Sequence, residues 1–154
     1  MRKRTHRKVW QLPPQGIPGL PVGSPMSPLA DHCQTRSLKR MLTADRPPSE
    51  WVPRDVNELI YLSNTVAKLV KRYPEYATAD RLAIGRELQG VLSEAKRRRR
   101  EHGHYGLTGG EWTALRRTVA TLQSWLETVP TQRIFAAEME VDRAMVADDL
   151  GKAA

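Results

Sequence analysis

Apolar residues recur at intervals of three and four along most of the chain after residue 50, with polar residues between them. This is the period of an amphipathic helix. Val56, Leu59, Ile60, Leu62, Val66, Leu69, Val70 and Tyr73 predict a helix over 53–72. Pro53 suits its first position, where a missing N–H has no partner to lose, and Asp55 and Glu58 suit its positive start. Pro74 ends it. A second helix is predicted from Thr78 or Asp80 to Gly103, with Leu82, Ile84, Leu88, Val91, Leu92 and Ala95 on its inner side. Gly85 and Gly90 lie within it and cost about 1 kcal/mol each against Ala, so they are expected to permit a close helix contact.

Thr108 and Glu111 have the T-x-x-E spacing of a capping box. They precede Trp112, Leu115, Val119, Leu122, Trp125, Leu126 and Val129, the stripe of a third helix. A fourth begins at Pro130 and Thr131 with a narrower stripe of Ile134, Ala137, Val141, Met145 and Ala144, Glu138 on its flank, and fraying expected beyond Asp149. Upstream, Asp31 to Thr43 predicts a short helix with Leu38, Met41 and Leu42 as its apolar edge, stopped by Pro47 and Pro48. The connections between the three main helices are short, which makes them antiparallel neighbours. The expected fold is all-α, a small antiparallel bundle of three main helices plus a C-terminal helix. Its organisation is a basic, Pro-rich arm over 1–30, a short helix and linker over 31–50 and a helical domain over 51–154.

The arm owes its irregularity to 11–30, where six prolines and three glycines remove donors and restrict backbone angles. Pro18 with Pro21 and Pro25 with Pro28 share PxxP spacing, a weak pattern for a Pro-rich ligand. Val9, Trp10 and Leu12 run into Pro13 and Pro14, so no signal-length apolar stretch develops, and no window approaches a membrane span of about 18 apolar residues. Cys33 is the single cysteine, which excludes an internal disulfide and fits a reducing compartment. The cytoplasm is the expected location, without membrane association.

Charge changes this picture most. The formal charge is +8. Counted along the chain it is +6 over 1–50, +4 over 51–107 and −2 over 108–154. Ten of the 25 Lys and Arg form two clusters, Arg2, Lys3, Arg4, Arg7 and Lys8 at the start, and the unbroken run Lys96, Arg97, Arg98, Arg99 and Arg100. Successive helical residues turn by about 100°, so five in a row surround the helix, whose last turns are expected to project beyond the bundle. Cations also suit a helix C-terminus, but guanidinium forks match phosphate oxygens and clustered charge gains from counterion release. The following loop places His104, Thr108, Gly109 and Gly110 beside this tip. Either the backbone N–H groups there receive an anion or the cap is satisfied internally.

No Ser-His-Asp order, HExxH, P-loop or glycine fingerprint is present, which argues for a noncatalytic protein without cofactors. Glu101, His102 and His104, or His32 beside Cys33, lack the ligand number and spacing of a zinc site. Trp112 and Trp125 fit core packing. Trp10 has no local core and is a candidate to anchor the arm, stack on a base or enter a partner's pocket.

Three blocks, RKRTHRKVW over 2–10, WVPRDVNELIYL over 51–62 and GHYGLTGGEWTALR over 103–116, resemble a group of small proteins encoded by phages, prophages and related mobile elements of proteobacteria. The Pro-rich segment 13–28 departs from that pattern. The resemblance implies an accessory role and supplies no catalytic residues. Expected partners are therefore nucleic acid, first, or an acidic host protein surface. The alternatives are an inhibitor or adaptor of a host protein, of the anti-defence or anti-CRISPR type, and a helical oligomeric scaffold; the oligomeric state is open.

Overall fold

The computed structural model describes residues 28–153, which form an all-α bundle. Its helices are α1 (Pro28–Asp45), α2 (Pro53–Arg72), α3 (Ala79–His102), α4 (Gly109–Leu126) and α5 (Thr131–Ala153), with 3-10 turns at Pro48–Glu50 and Pro74–Tyr76. The cluster Arg2, Lys3, Arg4, Arg7 and Lys8, Trp10 and the PxxP prolines Pro18, Pro21 and Pro25 lie outside the described residues.

The boundaries follow the local chemistry. Val52 precedes Pro53 and donates its N–H to the Asp55 carboxylate at 3.0 Å, which secures the start of α2. Thr108 caps α4, and Gly103, at φ 81°, ends α3 in the left-handed conformation that a side chain would strain. Leu59, Leu62 and Leu69 of α2, Leu88 and Ala95 of α3, Leu115, Val119 and Leu122 of α4, and Ala137 of α5 make one continuous core. In it α2 packs on α3 and α5, and α3 packs on α4.

Four expectations change. First, the upstream helix is longer than 31–43 and packs on α2, α4 and α5, so the packed unit begins before Trp51. Two residues of its expected apolar edge are turned outward, Leu38 and Leu42 each being 61% exposed, while the third, Met41, packs partly buried against the core, and Arg40, Thr43 and Ala44 are buried. The reason is electrostatic, since Arg36 and Arg40 of this helix pair with Glu58 of α2 and Glu138 of α5. Second, Gly85 and Gly90 face open space, with nothing within 4 Å of where a Cβ would stand, so neither admits a neighbouring helix. Third, Glu138 is not flanking but buried, whereas Met145 and Ala144 are exposed and the stripe of α5 ends inside the bundle at Val141. Fourth, α5 continues as helix to Ala153. Among the described residues no helix is long and apolar enough to cross a membrane.

Candidate functional site

The basic run occupies the last turns of α3, and its five charges have unequal fates. Arg97 is held between Glu94, at 2.9 Å, and Glu101, at 2.5 Å, one turn to either side. Both pairs are exposed, so they stabilise little and can exchange for an external anion. Arg98 crosses to the next helix and donates through both terminal nitrogens to Glu111, at 2.5 and 2.9 Å, and through Nη1 to the Gly106 carbonyl at 3.2 Å. Arg99 donates to the Tyr105 hydroxyl at 2.6 Å and stands 4.8 Å over that ring. Lys96 and Arg100 are exposed and meet no carboxylate among the described residues. Glu94, Glu101 and Glu111 thus engage Arg97 and Arg98, so three of the five cations have no carboxylate partner among the described residues and the local charge is +2.

The projecting tip is consequently half embedded. Arg98 and Arg99 are partly buried and brace the loop between α3 and α4. The anion beside the start of α4 is also internal. The Glu111 carboxylate accepts the Thr108 N–H at 2.7 Å as well as both Arg98 bonds, and the Thr108 hydroxyl accepts the Glu111 N–H at 3.2 Å. This completes the capping box and uses Thr108 in it. Gly109 and Gly110 remain exposed at the first turn, and His104 is exposed with Nδ1 3.2 Å from the His102 carbonyl oxygen.

Arg98 first, and then the Thr108 N–H, pull the Glu111 carboxyl down from its ordinary 4.5 to about 2. A carboxylate depressed in the folded state contributes stability that is complete above its unfolded pKa and lost as pH falls through the folded one. The stability difference between wild type and Glu111→Gln should therefore be widest above about pH 4.5 and close toward about pH 2. Urea midpoints measured across that window check this; a gap independent of pH would mean that the ion pair contributes nothing.

The second and third resembling blocks meet in space. Trp51 and Tyr105 are both buried, with ring centroids 6.4 Å apart. Trp112 Nε1 donates to the Ala44 carbonyl at 2.8 Å, and Arg116 pairs with Asp45 at 3.0 Å. These residues join the end of α1, the corner before α2 and the start of α4, so here the block residues serve architecture.

A second cluster was not anticipated from sequence. Between α1, α2 and α5, Arg36 donates to Glu58 at 3.0 Å and pairs with Glu138 at 3.4 Å, Lys39 reaches Glu58 at 3.4 Å, and Arg40 donates to Glu138 at 3.3 Å. His32 Nε2 lies 3.1 Å from Glu138. Arg36 also stands 3.9 Å over the Tyr61 ring, whose hydroxyl donates to Asp142 at 2.8 Å or to the Glu138 carbonyl at 3.0 Å. Burial pushes the Tyr61 hydroxyl up to about 12. The signal was available: Arg36, Arg40 and Thr43 recur at helical spacing on a helix with a weak apolar stripe, and Glu58 and Glu138 interrupt the apolar stripes of two others. In comparisons with known proteins, no family model, no curated protein and no solved structure matches this chain.

Proposed function

We propose that this is a noncatalytic accessory protein of a phage or other mobile element that binds an anionic macromolecule, nucleic acid first, in the host cytoplasm. The observation that carries the reading is the pair Lys96 and Arg100, one helical turn apart, exposed and without a carboxylate among the described residues. Arg99 adds a third charge matched only by a neutral hydroxyl, and Arg97 can exchange its exposed partners. The five cations over 2–8 and the overall charge of +8 favour the same class of partner. The phage assignment rests on the three resembling blocks.

Binding of the full chain to random duplex and single-stranded DNA and RNA, measured from about 50 to 200 mM salt, tests this. Affinity should fall steeply with salt. Lys96→Ala with Arg100→Ala should reduce the magnitude of the log–log slope on duplex DNA by up to about 2, roughly one per lost phosphate contact. Arg98→Ala should leave the slope nearly unchanged and lower the melting temperature, because that guanidinium is already committed to Glu111. Absence of binding at low salt would remove the reading.

One observation favours a protein partner instead. Residues 142–149 of α5 are exposed, Met145 and Val146 among them, on a helix segment beyond the core. An inhibitor or adaptor would dock a host protein there, and capture from nuclease-treated host lysate, lost in Val146→Glu, would select that reading.

A further inference from the structure

The basic tip of α3 continues along the outer side of the helix. α3 packs on α2 and α4, and the side it turns to solvent carries Arg86, Gln89, Gly90, Ser93, Lys96 and Arg100, all exposed and recurring at three and four. No carboxylate stands among them. Glu87, Glu94 and Glu101 lie to one side by helical rotation, and each already holds an arginine: Glu87 that of Arg117 on α4, Glu94 those of Arg97 and Arg98, and Glu101 that of Arg97. Arg86 donates to the Leu82 carbonyl at 3.2 Å and, like Lys96 and Arg100, pairs with no carboxylate among the described residues.

Gly90 interrupts this side without a packing reason. A glycine inside a helix weakens it, and nothing lies within 4 Å of where a Cβ would stand. With Ser93 it leaves a shallow waist between Arg86 and the pair Lys96 and Arg100, about 15 and 21 Å further along the axis. The major groove of duplex DNA is about 12 Å wide and admits a helix. A waist of small residues lets the backbone sit deep in it, while cations at both ends reach phosphates on its two rims. Residues 86–100 contain no aromatic ring on which the bases of a single strand would stack, and the major groove of duplex RNA is too deep and narrow to enter. We infer, resting on the nucleic-acid reading above, that α3 lays this side in the major groove of duplex DNA, with Arg86, Lys96 and Arg100 on phosphates and Gln89 and Ser93 at base edges.

Binding of the full chain to random DNA duplex, RNA duplex and single-stranded DNA at about 50 mM salt tests this. The DNA duplex should bind at least about tenfold more tightly than the other two. Gly90→Leu puts a large side chain on the waist and should weaken the DNA duplex about tenfold while leaving the single strand unchanged. Its melting temperature should equal or exceed that of wild type, since Leu favours a helix over Gly, which separates lost binding from lost folding. Arg86→Ala should lower the magnitude of the log–log salt slope on the DNA duplex by about one. Wild-type duplex affinity in Gly90→Leu, an unchanged slope in Arg86→Ala, or RNA duplex or single strand bound as tightly as the DNA duplex would each overturn the groove assignment. In those cases a slope that still falls in Lys96→Ala with Arg100→Ala keeps the tip as a nucleic-acid site, whereas no binding to any of the three removes both readings.

Discussion

Glu138→Ala should cost about 3–5 kcal/mol, because it strands a buried guanidinium. Arg40 is 2% exposed and Glu138 is 3% exposed, and burial lowers the Arg40 pKa while the Glu138 charge opposes that shift. Without the carboxylate, Arg40 keeps its proton, since guanidinium does not deprotonate in proteins, and must sit uncompensated or drag α1 toward water. Arg36 and Lys39 retain Glu58, so the damage centres on Arg40. A domain of ordinary stability, about 5–15 kcal/mol, would lose roughly a fifth or more of it. The pair as a whole is a different matter, since removing two charges from water costs about what their attraction returns. Arg40→Met with Glu138→Leu should therefore recover most of the loss. Urea denaturation of the single and double variants measures both quantities. A single-variant loss under about 1 kcal/mol would show that Arg40 is free to swing into solvent.

The same cluster shows where the sequence stops being legible. Local chemistry was enough for the limits of α2 and α3 and the start of α4, since Pro53, Pro74, the Thr108–Glu111 box and Gly103 act within a turn of where they stand. Apolar period was enough for α2 and α4, whose stripes are wide, even though Glu58 interrupts that of α2. On α1 the same rule pointed the wrong way. Leu38 and Leu42 compete with Arg36 and Arg40 for the inner side, and the winner is set by Glu58 and Glu138, which lie on other helices. No pattern within α1 contains that information. Charge reading at the end of α3 was incomplete in a related way. Helical geometry correctly sent the five cations around the axis, but it could not show that Glu111, serving as a cap, also takes Arg98 from 13 residues away. The surviving candidate surface is Lys96 and Arg100, with Arg99 and Arg97 as secondary contributors, smaller than the run suggests.

Trp51→Ala should cost about 3–5 kcal/mol and loosen a loop more than 50 residues further along the chain. The indole is buried, and its N–H is shared between the Thr43 and Arg46 carbonyls, 3.1 Å from each, so it fastens the end of α1 to the corner that starts α2. Its ring also meets Tyr105, and the Tyr105 hydroxyl receives Arg99. Truncation thus opens a cavity, removes the donor shared by two carbonyls, of which that of Thr43 keeps the Arg46 N–H at 3.3 Å, and removes the wall against which the α3–α4 loop is held. Trp51→Phe separates these contributions. It retains an aromatic wall and loses the shared donor, for a cost of about 1–3 kcal/mol from the lost hydrogen bonds and the smaller ring. Hydrogen exchange supplies the deciding measurement: amide protection over 103–107 should fall in Trp51→Ala well beyond the global loss of stability and stay near wild type in Trp51→Phe. Equal local protection in all three proteins would mean that Arg98 and Glu111 alone hold the loop. In that case the blocks meeting at Trp51 and Tyr105 would pack without governing how Lys96 and Arg100 are presented.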